Sequence, residues 1–296
     1  MKKIILTIIL AFTSLAFIRS FNSYGYEKSD YTYTVIDNKV TITGFEGNPV
    51  FIDIPEIIDG YHVTEIRDNA FYECDTLRHI TLPNTIEKIG HHSFYACFSL
   101  ESIVIPNSVT EIGIGCFCGC SALASVSLSE NITKLPESCF RSCTSLKNII
   151  IPNNITEISD FCFSGCTEIS AVSVGDKVSR IGDCAFYMCR NLKGIYIPPS
   201  VSEIGMCAIG YIPTDNGADL MKNFTILGKK NSVAEDYANQ NSLTFENASD
   251  TVHAFAIQRI SGQRIGIPSI LLICIVIVIL IWIIFVIKQL KFSRKK

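Results

Sequence analysis

The chain has 296 residues, of which 48% are hydrophobic and 18% charged, and a formal net charge of −3. That is enough apolar material for a sizeable core, and the near-neutral balance, without a basic footprint in the central region, argues against a nucleic-acid partner. Much of the apolar content sits in one block near each terminus, so the middle reads as an ordinary soluble domain.

The N-terminal block, MKKIILTIILAFTSLAF, places Lys2 and Lys3 before an apolar run from Ile4 to Phe17, the order and length of a secretory signal. Ser23 and Gly25 are the small residues that cleavage after Gly25 requires, so residues 1–25 are expected to be removed and the mature chain to start at Tyr26. An uncleaved signal anchor is the alternative. Residues 26–65 are expected to form an N-terminal cap.

From 66 to 211 the sequence repeats every 23 residues. Ile66, Ile89, Ile112, Leu135, Ile158, Ile181 and Ile204 hold one register, and Phe71, Phe94, Phe117, Phe140, Phe163 and Phe186 another. Cys74, Cys97, Cys120, Cys143, Cys166 and Cys189 follow the same step, as do Leu77, Leu100, Leu123, Leu146, Ile169 and Leu192. The unit is I-x4-F-x2-C-x2-L-x2-I-x-I-P-x2-V-x2. Its paired apolar positions two apart, such as Ile80 and Leu82 or Ile103 and Ile105, predict one short strand per unit with both residues facing inward. Pro83, Pro106, Pro152 and Pro198 close four of these strands, because proline cannot donate to a ladder. The three-to-five spacing from Ile66 through Phe71 and Cys74 to Leu77 predicts a short helical or 3₁₀ arm. One unit cannot bury its own apolar edge, so stability must come from stacking.

Residues 212–246 read as a C-terminal cap, in which Ser232 followed by Glu235 is a capping-box signature for a helix from Val233 to about Gln240. Residues 247–266 read as a stalk. IPSILLICIVIVILIWIIFVI, residues 267–287, carries no charge over 21 residues, enough to cross a hydrocarbon core of about 30 Å as a helix. Five cations follow within residues 288–296; a basic flank stays on the cytoplasmic side, which puts the repeats outside the cell, in agreement with the export signal.

The run F-x-x-C-x-x-L-x-x-I-x-I-P followed by V-x-x-I-G resembles the BspA-type leucine-rich repeat, and the resemblance covers about Tyr33 to Phe245. It implies an α/β solenoid of short parallel strands with helical or 3₁₀ arms, displayed extracellularly, and an adhesive role toward a protein on a host or neighbouring cell.

Thirteen cysteines in an exported chain raise the question of disulfides. Translated copies on coils about 4.8 Å apart hold their Cβ atoms farther apart than a disulfide tolerates. Buried free thiols are therefore expected, against isolated disulfides. Cys116, Cys118 and Cys120 form C-x-C-x-C without a second ligand group, and His62, His79, His91, His92 and His253 match no metal or catalytic pattern. No catalytic residue, cofactor site or metal site is expected. Asn131, Asn154, Asn223 and Asn247 are N-glycosylation acceptors by sequence.

Residues flanking the inward pairs project onto the sheet face that solenoids present to partners, concave in the leucine-rich pattern. Here they are His79 and Thr81, Ser102 and Val104, Ser125 and Ser127, Asn148 and Ile150, Ala171 and Ser173, and Gly194 and Tyr196. This neutral, hydroxyl-rich row with apolar Val104, Ile150 and Tyr196 is the candidate protein-binding surface. A structural or assembly protein of the cell envelope and, more remotely, a surface hydrolase are the rival readings.

Overall fold

The computed structural model describes residues 30–215 and 217–248. The expected export signal, membrane span and basic tail lie outside these residues, as does the expected stalk beyond Ala248. Among the described residues no helix is long and apolar enough to cross a membrane.

The chain winds as a leucine-rich-repeat solenoid. One side carries nine short strands in sequence order: Phe51–Asp53, His79–Thr81, Ser102–Val104, Ser125–Ser127, Asn148–Ile150, Ala171–Ser173, Gly194–Tyr196, Thr225–Gly228 and Thr244–Asn247. Neighbours that pair do so in parallel and in repeat register, as Ser102 with Ser125 and Asn148 with Ala171. The inward pairs are where period two puts them: Ile80 with Leu82, Ile103 with Ile105, Ile149 with Ile151, and Ile195 with Ile197 are all buried.

Each coil also has a second strand that the sequence reading did not foresee. It is a two-residue piece, Lys88–Ile89, Glu111–Ile112, Lys134–Leu135, Glu157–Ile158, Arg180–Ile181 or Glu203–Ile204, too short to show a period. Its outward positions form a column of strictly alternating charge: Glu65, Lys88, Glu111, Lys134, Glu157, Arg180 and Glu203. Ladder pairing sets opposite charges side by side, Glu65 by Lys88, Lys88 by Glu111, Lys134 by Glu157, and Arg180 by both Glu157 and Glu203. Lys88 Nζ lies 3.0 Å from Glu111, and Lys134 Nζ 3.1 Å from Glu157. Arg180 bridges Glu157, Asp160 and Glu203 at 3.1, 3.0 and 3.1 Å.

The arms are turns, not the helical or 3₁₀ segments expected from spacing. The reason is a pair of left-handed residues in each of the first six arms, with a further one at Cys207 in the seventh. Asn69, His92, Gly115, Ser138, Phe161, Cys184 and Cys207 have positive φ, and so do Glu73, Ala96, Gly119, Ser142, Gly165 and Met188; a helix cannot pass through such residues. Between them the amides alternate in direction. Ala70, Tyr72 and Cys74 donate to carbonyls three residues back in their own coil, whereas Asn69, Phe71 and Glu73 donate to His91, Ser93 and Tyr95 of the next coil. The three-residue spacing that imitated a helix therefore comes from local turns stitched to a neighbour.

Behind the arms, Phe71, Phe94, Phe117, Phe140, Phe163 and Phe186 are fully buried and stack with centroids 5.2 to 5.5 Å apart and planes within 10°. Beside them runs the thiol column. All twelve described cysteines are free, as translated side chains demand. They do more than fill space: the Sγ of Cys97, Cys120, Cys143, Cys166 and Cys189 donates at 3.1 to 3.3 Å to the carbonyl of Phe71, Phe94, Phe117, Phe140 and Phe163, each in the preceding coil. Burial pushes the Cys166 and Cys116 thiols up to about 12 and holds Cys139, Cys143, Cys162 and Cys189 well above the ordinary thiol range.

At the C-terminal end a hairpin, Tyr211–Thr214 with Gly217–Leu220, leaves the repeat path, and the expected helix spans Val233–Gln240. The capping box is realised differently from its sequence signature. Ser232 is the N-cap, but its hydroxyl donates backward to the Lys229 carbonyl at 2.6 Å, and Glu235 accepts from the Asn231 amide at 2.6 Å. The helix closes the stack through Tyr237. Its hydroxyl accepts from the Ile209 amide and donates to the Ile209 carbonyl, each at 3.0 Å. One phenol thus takes the place, at the last arm, of the carbonyl and the thiol that the next coil supplies to the buried phenylalanine of the earlier arms.

Tyr237→Phe keeps the ring and orphans both groups of Ile209, so it should destabilise the protein by about 1–3 kcal/mol, read as a lowered denaturation midpoint. The thiols predict an alkaline weakness. A group whose folded pKa is raised holds its full stabilisation below the unfolded value of about 8.5 and loses it as pH climbs toward the folded value, at roughly 1.4 kcal/mol per thiol per pH unit. The denaturation midpoint should therefore fall between about pH 8.5 and 12, and the fall should be shallower in Cys166→Ala.

Candidate binding surface

The outward positions of the long strand column are positioned by the inward ones: with Ile80 and Ile103 locked in the core, their neighbours must face away from it. Phe51, His79, Ser102 and Ser125 form one line in ladder register. Asp53 with Thr81, and Val104 with Ser127, belong to the parallel line beside it. Thr81 is exposed, and His79, Ser102, Ser125, Ser127 and Asn148 are half-buried. The two apolar members stand out into solvent, Val104 at 65% exposure and Ile150 at 43%.

The C-terminal end of the row differs from expectation. Ser173 and Tyr196 are buried, at 5% and 7% exposure, so beyond Ile150 only Ala171 and Gly194 stay half-buried and the apolar anchors number two, not three. Tyr196 pairs with Leu227, and Gly194 with Thr225, in the ladder that continues into the C-terminal cap. A side chain at Gly194 would meet the Thr225 carbonyl at 2.7 Å, so this position cannot carry a contact residue.

At the N-terminal end the surface gains a residue that the 23-residue search missed. Phe51 is 46% exposed and stacks on His79, with centroids 5.2 Å apart and planes at 16°. Its segment, FIDIP, shows the same inward pair and closing proline as the repeats, but Ile52 precedes Ile80 by 28 residues. A scan on pattern rather than on period would have found it. His79 also lies 3.5 Å from Glu101, which Arg78 clasps from the other side with a 2.8 Å bond from Nε. Between the strands of the first two full repeats lies an open depression of about 300 Å³, floored by Ile80 and Ile103 and walled by His79, Thr81, Ser102 and Val104.

Among the described residues there is no group of three or more potential metal ligands. Of the C-x-C-x-C run, Cys116 and Cys120 are buried, in contact with Ser93 Oγ at 3.2 Å and the Phe94 carbonyl at 3.1 Å. What the surface offers is hydrogen bonding from hydroxyls and an imidazole around apolar anchors, which are the elements of protein recognition.

Comparison with known proteins agrees with the fold. A family model described as the BspA type leucine rich repeat region matches with six copies across residues 51–169, 116–244 and 156–271. A leucine rich repeat protein of Treponema pallidum is 25% identical, with TM-score 0.57, over 76% of this chain and 99% of that one. A leucine rich cell surface protein of Faecalibacterium prausnitzii is 24% identical, with TM-score 0.55, over 69% of this chain and 70% of that one. No curated protein matches the chain. With the repeat register, the strand column and the family match in agreement, the chain belongs to the BspA-type leucine-rich-repeat family.

Proposed function

We propose that this protein is a membrane-anchored, surface-displayed binding module whose strand face engages a protein on a host or neighbouring cell. The observation that carries the reading is the exposure of Val104 and Ile150 on a row otherwise made of small hydroxyl-bearing residues, with Phe51 stacked on His79 at its N-terminal end. Exposed apolar groups rimmed by polar ones mark interaction surfaces. Charge on the row itself is sparse, so affinity rests on apolar anchors and hydrogen bonds rather than on long-range steering. The family match and the repeat fold point to an interaction scaffold, and neither supplies an observation in favour of an enzymatic reading. Anchoring rests on the apolar stretch 267–287 and its basic flank, and export on the N-terminal block.

Both halves of the proposal are testable. Val104→Asp combined with Ile150→Asp should weaken partner binding at least a hundredfold, about 2.7 kcal/mol, with an unchanged melting temperature. Unaltered binding would move the site to the arm side, where Tyr72 and Phe98 are exposed. In intact producing cells, external protease should remove the repeats while a tag placed after Lys296 stays protected. A tag that is cleaved without permeabilisation refutes the topology.

A further inference from the structure

The last two arms differ from the others in the sulfur that they expose. The column Asn69, His92, Gly115, Ser138 and Phe161 runs along the start of the arms and ends in two cysteines, Cys184 and Cys207. Both have positive φ, 52° and 50°. Unlike the core thiols beside the phenylalanine stack, both are only half-buried, and both are free. The backbone sets them side by side: the Cys184 amide donates to the Met206 carbonyl at 2.9 Å and the Phe186 amide to the Ala208 carbonyl at 2.7 Å, so Cys207 stands one coil step from Cys184. Side chains in this column lean across that step, for a Cβ added at Gly115 would fall 2.7 Å from the His92 ring.

A third sulfur adjoins the pair. Met206 precedes Cys207 and is 76% exposed. On earlier coils its position is held by Asp68, His91, Asp160 and Asp183, whose side chains brace the stack by accepting the equivalent amide of the following coil. A thioether is too weak an acceptor for that task. An exposed thioether beside two half-exposed thiols is a set of soft ligands, and such ligands select Cu(I).

The coil step decides the geometry. Translation by about 4.8 Å disfavours a disulfide between Cys184 and Cys207, as it does along the core column. Two collinear metal–thiolate bonds of about 2.3 Å each span about 4.6 Å, which matches the step. Tetrahedral zinc takes four ligands, and the described residues hold no set of even three histidine, cysteine or carboxylate ligands. We propose that Cys184 and Cys207 bind one Cu(I) ion in near-linear geometry, with the Met206 thioether as a third, weaker ligand. Coordination deprotonates both thiols, so two protons leave to solvent as the ion enters. Burial and the neighbouring Cys207 raise the Cys184 thiol, which keeps the pair protonated at neutral pH and makes binding pH-dependent. This site lies on the arms, apart from the protein-binding row, and stands or falls independently of it.

The test uses the full chain in detergent, without oxygen and with a non-thiol reductant, and presents Cu(I) as its complex with the chromophoric chelator bicinchoninate. The protein should withdraw one equivalent, and X-ray absorption should place two or three sulfurs at about 2.3 Å from the copper. Affinity should rise about a hundredfold from pH 6 to pH 7, because two protons are released. Cys184→Ser and Cys207→Ser should each lose the equivalent at an unchanged melting temperature, since Ser138 already holds this column with positive φ. Met206→Leu should keep the stoichiometry and weaken binding about tenfold; an unchanged affinity overturns the thioether's part. Cys118→Ser, at another half-buried free thiol, should bind as the parent does. The proposal is overturned if no copper is withdrawn, if both serine variants at 184 and 207 keep the equivalent, if Cys118→Ser loses it as they do, or if the pair is isolated from producing cells as a disulfide.

Discussion

Everything in this molecule depends on hydrogen bonds and ring contacts made between coils rather than within them. In each arm three amides point at the next coil's carbonyls, the buried phenylalanines meet only through their stack, and the thiols reach one coil back. A coil on its own would leave these groups unpaired and its apolar edge in water, and both are costly. The caps follow from the same constraint. At the last arm, Tyr237 supplies through a single hydroxyl the donor and acceptor that a further coil would have supplied.

The period, the inward strand pairs, the free thiols and the terminal helix were all legible in the sequence, because each is enforced by a side chain that recurs or by spacing with one geometric solution. The arms were not. Thirteen left-handed residues shape them, and only Gly115, Gly119 and Gly165 among these are glycines, so the usual signal for that conformation is missing. The stack over-determines the turn, and the local sequence can then be His92, Phe161 or Met188, at a strain tolerated where the surroundings fix the backbone. The two-residue strands escaped notice for a different reason: Lys88–Ile89 and its equivalents are shorter than any period.

The binding surface was legible in part. Alternation around Ile103 and Ile149 places Val104 and Ile150 outward, and they are exposed. The same alternation places Ser173 and Tyr196 outward, yet both are buried, because strand periodicity specifies direction away from the core and not access to solvent. Phe51 was missed since the cap's strand keeps the pattern of the repeats and breaks their step. Binding residues chosen from periodicity alone are thus most dependable in the middle of a solenoid and least so near its caps.

Near-identical coils carry a hazard of their own, for the apolar ladder alone would accept a coil docked onto its second neighbour almost as readily as onto its first. The alternating column from Glu65 to Glu203 disfavours this. A skipped coil would lay Glu65 against Glu111, or Lys88 against Lys134, and like charges directly opposite one another destabilise a ladder. Individually such surface pairs add little to the finished fold. Their service is arithmetical, a parity check that lets a folding chain of repeats count its own turns.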